Sequence, residues 1–333
     1  MATIHEVARQ AQVGVGSVSR YLNGVKVAKA TQIKIEDAIK ELGFVVNRAA
    51  RGLARGRIPT IAVLMPFATQ PAAFERLRGI LEGVRDLQFP VSIFDVEQPE
   101  DLPRHLTELC GDLRPEALIV VSLVLTATQR EMLEQAGLDP VFVDAYSAQD
   151  PSLIIDDTSG GRIATEHLLQ LGHTNIAFVG DLENNPLEFN SSRLRRTGFL
   201  EAMAKAGVEV PERNIILGPF GREFAAAQIA PALQRTDRPT AVVAASDVQA
   251  LGVIQGAQQL GISVPDQLSV TGFDDIALAE YAGITTIRQP LIEMSRRAVT
   301  LISSQLSGKK IEPVVDLFEV ELVERRSTQH FVH

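Results

Sequence analysis

The sequence has little cysteine and no long apolar run, and each absence restricts what the protein can be. Cys110 is the only cysteine among 333 residues, so no intrachain disulfide can form, which fits a reducing compartment. No apolar stretch reaches the roughly 18 residues that a membrane helix needs. The N-terminal stretch "MATIHEVARQ" lacks the apolar centre of a signal peptide. We therefore expect a soluble cytoplasmic protein.

Recognisable catalytic and metal-binding motifs are also missing. The six histidines and the single cysteine are scattered, without the spacing of a metal cluster. Neither a Gly-x-Ser-x-Gly elbow nor a Gly-x-Gly-x-x-Gly after a strand is present. We therefore expect that the protein is not an enzyme and that it binds neither a cofactor nor a metal ion. Two alternatives stay open: an enzyme that acts on a sugar or a nucleotide, and a protein that only binds a sugar.

The charge is unevenly distributed along the chain. Residues 1–57 contain ten Lys and Arg against four Asp and Glu, a net charge of +6. The whole chain has a net charge of −9, so the remainder carries −15. A basic N-terminal segment on an acidic body is typical of a segment that binds a polyanion. A solvated pair of surface helices would give the same pattern.

At Ile58-Pro59 the helical sequence pattern ends and a different pattern of hydrophobic residues begins. Short β-branched runs then alternate with amphipathic stretches, which predicts right-handed βαβ units and parallel sheets. Eight such runs are too many for one small domain and predict two doubly wound lobes. The runs lie at 60–66, 91–96, 117–122, 140–144, 175–181, 214–218, 240–246 and 268–274.

Polar residues end several of these runs: Asp181, Ser246-Asp247 and Asp274-Asp275. Ligands of parallel sheets bind beyond the carboxyl ends of the strands, so three such ends indicate a cleft. The alternative is that these side chains only cap the following helices.

The stretch "VGVGSVSRYLNG" (13–24) admits two interpretations, a glycine loop that holds a phosphate or a turn that opens a helix. A phosphate loop follows a strand and commonly ends in Gly-Lys-Ser/Thr. Here the glycines follow a helical pattern, which starts with a capping box at Thr3 and Glu6. A third helix is predicted from Thr31 to about Leu42, ended by Gly43. Two short helices around a tight turn, braced by a third, form a helix-turn-helix.

With these elements in place, the sequence resembles the lactose-repressor/galactose-repressor (LacI/GalR) family. The likeness covers nearly the whole chain through "TIHEVARQAQVGVGSVSRYLNG", "AIKELGFVVNRAARGLARGR", "IIDDTSGGRIATEHLLQLGHTNIAFVGD", "RLRRTGF", "PTAVVAASDVQALGVIQGAQQLGISVPDQLSVTGFDD" and "TTIRQP".

The resemblance implies an all-α helix-turn-helix DNA-binding head at 1–46 and a hinge helix or linker at 47–58. It implies an α/β core at 59–333, similar to periplasmic binding proteins, with two doubly wound parallel-sheet lobes. Lobe 1 is expected at about 59–158 and 290–318, and lobe 2 at about 159–289 and 319–330.

In the family the second helix enters the major groove of DNA. The resemblance assigns Val15, Gly16 and Arg20 to base edges, with Arg20 suited to a bidentate contact with guanine. The expected contacts to DNA in the head are Thr3, Val15, Gly16, Ser17, Ser19, Arg20 and Asn23. The chain departs from the family at Gln12, where a glycine is usual, and at Gly14, where Ser or Thr is usual.

In the hinge, Asn47 can cap a short helix, Leu53 matches the leucine that wedges into the minor groove, and Arg51 lies near phosphates. Gly52 costs this helix about 1 kcal/mol relative to alanine. We therefore expect the hinge helix to form only when two hinges pair on DNA. A plain basic linker is the alternative.

The resemblance also implies an effector site between the lobes. Arg195 is expected to hold a ligand oxygen and Asp274 to accept hydrogen bonds from ligand hydroxyls. Ser246 stands where the family often has Asn, Phe220 is expected to stack on the ligand, and Phe74 is expected to close the pocket from lobe 1. Ordinary core packing is the alternative for both phenylalanines.

The function implied is a bacterial, nucleoid-associated transcriptional regulator, expected to be a repressor, whose operator affinity a small-molecule effector controls. The effector is expected to be a sugar or a sugar derivative. A homodimer would read a near-palindromic operator of double-stranded DNA. The C-terminal "VERRSTQHFVH" shows no apolar heptads, so no coiled-coil tetramer tail is predicted. Activation, and the direction of the effector's effect, stay open.

Overall fold

The computed structural model describes residues 3–22, 26–44, 59–87, 89–182, 187 and 190–331. The chain forms two compact units, Met1–Pro59 and Thr60–His333. Four residues assigned above to DNA contacts lie outside the described residues: Asn23, Asn47, Arg51 and Leu53. No helix within the described ranges is long and apolar enough to span a bilayer.

In the described part of the first unit the chain forms three helices: α1 (Ile4–Gln10), α2 (Val15–Leu22) and α3 (Lys29–Leu42). The capping box predicted at the start of α1 is confirmed, because Thr3 accepts a hydrogen bond from the Glu6 amide while the Glu6 carboxylate accepts one from the Thr3 amide. The helices pack around Val7, Val18 and Ile35, which are fully buried. A head this small gains its stability from this shared core rather than from helix propensity.

The turn between α1 and α2 contains Gln12 with a φ of 52°. This left-handed conformation costs a residue with a side chain about 1–2 kcal/mol, whereas glycine adopts it freely. The departure from the family's glycine at this position therefore leaves the turn in place but strained.

Lobe 1 of the second unit is a six-stranded sheet in the order β11-β5-β4-β3-β1-β2, with every pairing parallel. Its strands are β1 (Ile61–Pro66), β2 (Val91–Val96), β3 (Ala117–Val121), β4 (Val141–Val143), β5 (Ser152–Ile155) and β11 (Val315–Phe318). Its helices are α4 (Pro71–Val84), α5 (Asp101–Cys110), α6 (Ala127–Gln135) and α12 (Leu291–Leu306).

Lobe 2 is a second six-stranded sheet in the order β12-β10-β9-β8-β6-β7. Only the edge pairing of β12 with β10 is antiparallel among the pairings of its described strands. The strands are β6 (Ile176–Asp181), β7 (Ile215–Gly218), β8 (Ala241–Ala244), β9 (Ser269–Asp274), β10 (Thr285–Arg288) and β12 (Glu321–Val323). The helices are α7 (Asp157–Gln170), α8 (Ser191–Lys205), α9 (Arg222–Leu233), α10 (Asp247–Gln259) and α11 (Ala277–Ala282), with a 3-10 turn at Glu212–Asn214.

The chain crosses between the lobes after β5, after β10 and after β11. Each lobe is therefore completed by segments distant in sequence, and the two doubly wound lobes expected from the alternating runs are confirmed.

Helices α7 and α8 of lobe 2 touch through their backbones. A Cβ atom on Gly161 would lie 2.0 Å from the carbonyl oxygen of Arg195, and one on Gly198 would lie 1.9 Å from that of Thr158. Only glycine fits these two positions, because the opposing atoms are backbone atoms that no rotamer change can move. This contact fixes the position of α8 along α7, and α8 carries Arg195.

We predict that Gly198→Ala lowers the free energy of unfolding of the core by about 3 kcal/mol, because the added methyl group forces the two helices apart. Urea unfolding followed by circular dichroism measures this loss. Glu201→Ala, at an exposed position of the same helix, is the matched control and should change stability by less than about 0.5 kcal/mol. Equal stability of the two variants would contradict the close packing.

Candidate effector cleft and DNA-binding surface

A cleft with a cavity volume of about 130 Å³ lies between the lobes. It opens at the carboxyl ends of the parallel strands, where such sheets bind ligands. Its walls include residues at the ends of six strands: Phe67, Ser122 and Asp144 from lobe 1, and Asp181, Ser246 and Asp274 from lobe 2.

The backbone is strained at four of these strand ends. Phe67, Ser122, Asp144 and Asp274 have φ values of 47°, 50°, 58° and 114°. Positive φ costs residues with side chains about 1–3 kcal/mol each, and such strain concentrates at functional sites. The cleft therefore contains strained backbone contributed by both lobes.

Four of the five residues assigned above to the effector line this cleft: Arg195, Phe220, Ser246 and Asp274. Arg195 and Asp274 are each only 6% exposed, and Phe220 is 39% exposed.

The structure does not bring Phe74 to this lining. Phe74 is 56% exposed and lies on α4 along the face of Arg78 and Leu81, at positions i, i+4 and i+7. The inner face of α4 instead presents Ala73 and Arg76 to the cleft.

Arg195 is held by three partners on the lobe 2 side. Its Nε donates to Asp157 Oδ1 at 2.7 Å, and its Nη1 donates to the Ala245 carbonyl at 2.6 Å. Nη1 also lies 3.5 Å from Asp274 Oδ1. The guanidinium carbon stacks 3.6 Å from the ring centroid of Phe273, which fixes its plane.

A buried polar bridge connects the lobes along the cleft. On lobe 1, Arg76 Nη2 lies 2.9 Å from Asp144 Oδ2, which also accepts from Ser122 Oγ at 2.6 Å. Arg76 Nη2 donates to Gln289 Oε1 at 3.1 Å, and Gln289 Nε2 donates to Asp274 Oδ1 of lobe 2 at 2.5 Å. Arg76 Nε is buried without a hydrogen-bond partner. The bridge is therefore incomplete on the Arg76 side.

A second polar cluster lies within lobe 2. Gln249 Nε2 donates to Asp181 Oδ1 at 2.9 Å, and Ser246 Oγ donates to Gln249 Oε1 at 3.0 Å. Ser246 Oγ also accepts from the Gln249 amide and so caps α10. Ser246 therefore combines helix capping with a position in the cleft wall.

Asp247 and Asp275, which directly follow Ser246 and Asp274, make only structural contacts among the described residues. Asp247 is fully buried and bonds Thr286 Oγ1 and the Ile276 amide. Asp275 pairs with Arg288 and Arg325. These two carboxylates stabilise lobe 2 from outside the cleft lining.

In the head, α2 buries Val18 and exposes Val15, Gly16 and Arg20. Ser17 and Ser19 are half-buried beside them. Arg20 Nε donates to the Gly16 carbonyl at 3.4 Å, which holds the guanidinium against its own helix. Thr3 is exposed at the start of α1.

Comparisons with known proteins agree with both units. Residues 3–47 match the model of "Bacterial regulatory proteins, lacI family", and residues 165–328 match "Periplasmic binding protein-like domain". The chain is 31% identical to the HTH-type transcriptional repressor PurR of Photobacterium profundum over 335 aligned positions, covering 99% of each protein. The chain belongs to the LacI family.

Solved structures of transcriptional regulators resemble nearly the whole chain. The lac repressor dimer bound to operator and the anti-inducer ONPF superposes with a TM-score of 0.77 at 25% identity, covering 98% of this chain and 99% of that chain. The CelR–cellobiose complex superposes with a TM-score of 0.72 at 28% identity, covering 98% and 100%. As a LacI-family member, the chain is a DNA-binding transcriptional regulator.

Sequence reasoning missed several residues that line the cleft of this LacI-family protein: Arg76, Ser122, Asp144, Gln249, Gln289 and, as a hydrogen-bonding partner, Asp181. It also missed Asp157, which holds Arg195 from outside the lining. Asp144 carried a usable signal, because it ends an apolar run in the same way as Asp181 and Asp274. Within the described residues, no group of three His, Cys, Asp or Glu side chains is placed to hold a metal ion.

Burial changes the protonation of the cleft carboxylates. Desolvation raises the pKa of Asp181 and that of Asp274 to about 6, although Arg195 opposes the rise. Burial also raises the pKa of Asp157. A carboxyl group whose pKa is raised by folding keeps its proton up to a higher pH in the folded state than in the unfolded state. Its ionisation therefore destabilises the folded protein as the pH rises from about 4 to 6.

We predict that Asp181→Asn stabilises the ligand-free protein at pH 7.5 by about 2 kcal/mol, because it removes the buried charge but keeps the oxygen that accepts from Gln249. The gain should vanish at pH 4, where the wild-type carboxyl is protonated. Thermal unfolding across this pH range measures the difference, with the exposed Asp112→Asn as control. A gain that does not vary with pH would show that the charge of Asp181 is not its origin.

Proposed function

We propose that this chain is a homodimeric repressor of the bacterial cytoplasm. A small polyhydroxylated effector, a sugar or a sugar derivative, would bind in the cleft and control the operator affinity. The observation that carries this proposal is the buried bridge from Arg76 and Asp144 through Gln289 to Asp274. A ligand placed there competes for groups on both lobes, so its binding is coupled to the angle between them.

The chemistry of the cleft supports a ligand rich in hydroxyl groups. The carboxylates of Asp181 and Asp274 accept hydrogen bonds, and the guanidinium of Arg195 donates them. Phe220 provides an aromatic surface at the cleft wall, against which the apolar face of a sugar ring can pack. The neighbouring CelR structure, a cellobiose complex, favours the same class of ligand. In this assignment Arg195, Phe220, Ser246 and Asp274 contact the effector.

An exposed apolar surface of the core supports the dimer. Phe74, Leu81, Leu278 and Tyr281 are between 46% and 87% exposed, and Phe74 and Leu278 line one shallow depression that joins α4 to α11. Phe74 and Leu278 therefore lie together as exposed apolar side chains, and apolar patches of this kind mark protein interfaces. We assign Phe74 to this surface instead of the effector, and the related lac repressor is itself a dimer on its operator.

The central experiment is a gel shift of the full chain with the DNA upstream of its own gene and of neighbouring genes. We expect a discrete protein–DNA complex that persists as the salt concentration is raised. The DNA site bound in that complex should be near-palindromic. A parallel thermal-shift screen of sugars and sugar derivatives should identify a ligand that raises the melting temperature by mass action. That ligand should change the operator affinity at least fivefold. Failure to bind any upstream fragment would contradict the regulator function.

For the DNA surface, we predict that Arg20→Ala weakens operator binding by about 1–3 kcal/mol, because a bidentate contact to guanine is lost. Binding to random DNA of equal length should weaken much less, since that binding depends on phosphate contacts. Fluorescence anisotropy at fixed salt measures both affinities, and Lys34→Ala, on the exposed side of α3, is the control. An equal loss of affinity for the operator and for random DNA would contradict a contact of Arg20 with the bases.

A further inference from the structure

Helix α2 of the head is short and is anchored mainly at one position. It spans two turns, and Val18 is its buried residue among those described. Tyr21 and Leu22 are half-buried beside it. A helix of this length depends on tertiary contacts for its position. Contacts in addition to that of Val18 are therefore needed to fix the rotation of α2 about its own axis.

Base reading by α2 is sensitive to that rotation. Arg20 is the long side chain among the α2 residues expected to face DNA, because the others are Val15, Gly16, Ser17 and Ser19. Arg20 Nε donates to the Gly16 carbonyl of its own helix, so the direction of the guanidinium follows the orientation of α2. A bidentate contact with guanine requires two N–H groups aligned with two acceptors. A small rotation of the helix therefore disturbs this contact.

A hydrogen bond ties α2 to α3 directly beside Arg20. The hydroxyl of Tyr21 donates to Glu36 Oε1 of α3 at 2.8 Å. Gln32 Nε2, one turn earlier on α3, donates to the same oxygen at 2.8 Å. The Glu36 carboxylate is thus held from its own helix, which lowers the entropy lost when Tyr21 binds to it.

The bond between Tyr21 and Glu36 has a charged acceptor at neutral pH. Hydrogen bonds from Gln32 and Tyr21 lower the pKa of Glu36, and the bond to Glu36 raises the pKa of Tyr21. A neutral donor therefore meets an ionised acceptor, and such bonds are roughly twice as strong as neutral ones. Tyr21 follows Val18 by three residues, on an adjacent line of the helix surface. The bond thus provides a second point of attachment for α2.

We propose that Tyr21 and Glu36 are positioning residues for DNA recognition. Their hydrogen bond fixes the rotation of α2 and so directs the Arg20 side chain toward the bases. Phosphate contacts carry no sequence information, so binding to random DNA is less sensitive to this rotation. The bond therefore contributes to selectivity for the operator more than to affinity for DNA in general. The inference rests on the proposed function, because it requires Arg20 to read bases.

The test uses the full chain, the upstream site found by gel shift and a random duplex of equal length. Tyr21→Phe removes the hydroxyl and keeps the ring in place. We expect its operator affinity to fall about fivefold, as for the loss of one hydrogen bond, while its affinity for random DNA changes less than about twofold. Fluorescence anisotropy at fixed salt measures both affinities, and circular dichroism should show unchanged helix content.

Changes at Glu36 separate positioning from loss of charge. Glu36→Gln keeps an oxygen that accepts from Tyr21 and should preserve the selectivity. Glu36→Ala removes the acceptor and should reproduce the effect of Tyr21→Phe, and the double variant should lose no more than either single variant. Should Tyr21→Phe lower the helix content, Glu36→Ala provides the same comparison.

Glu41→Ala is the matched control. Glu41 is an exposed residue of the same helix, and its carboxylate accepts from Gln10 Nε2 of α1 at 2.6 Å. The control therefore removes the same charge and also one bond between helices, but no contact with α2. It should leave the selectivity for the operator unchanged.

Three results would overturn the inference. Tyr21→Phe could weaken binding to both DNAs equally, which would give the bond a purely structural role. Glu36→Gln could lower the selectivity as much as Glu36→Ala, which would assign the effect to charge. Arg20→Ala could lose selectivity that Tyr21→Phe keeps, which would leave the proposed function intact. If the wild-type protein prefers no upstream site over random DNA, the proposed function fails and the inference fails with it.

Discussion

The polar bridge across the cleft is the interaction on which the arrangement of the core depends. Buried charges are costly unless each is paired and hydrogen-bonded, and here Arg76 pairs with Asp144 while Arg195 pairs with Asp157. Gln289 joins the two halves, because its amide donates to lobe 2 while its oxygen accepts from lobe 1. These directional contacts join the two lobes at the cleft, and hydroxyl groups can make hydrogen bonds of the same kind.

Much of the fold followed from one physical signal, burial of strands on both faces. All eight apolar runs became strands, β1 to β4 and β6 to β9. The apolar runs did not predict β5, β10, β11 and β12, each of which is three or four residues long. β11 and β12 are half-exposed strands at sheet edges, so their sequences carry no continuous apolar run, and their partners lie far away in the chain.

The site was less accessible to sequence reasoning. Motifs located Arg195, Ser246 and Asp274 because each sits at a strand end or in a recognisable helix. The contact of Arg76 with Gln289 joins residues 213 positions apart, and no local pattern encodes it. Arg76, and not Phe74, lines the cleft from α4, because two residues along a helix turn a side chain by roughly 200°. A tertiary contact, not composition, decides which face of α4 looks inward.

The glycine contact between α7 and α8 has a mechanical consequence. Helix α7 starts two residues after β5 ends, at the first crossing between the lobes, and its backbone touches that of α8 without intervening side chains. Side chains normally absorb small displacements by changing rotamer, but two backbones in contact cannot. A displacement of Arg195 therefore cannot be absorbed between the two helices by a rotamer change, and the backbone contact passes it on to α7 and the crossing segment.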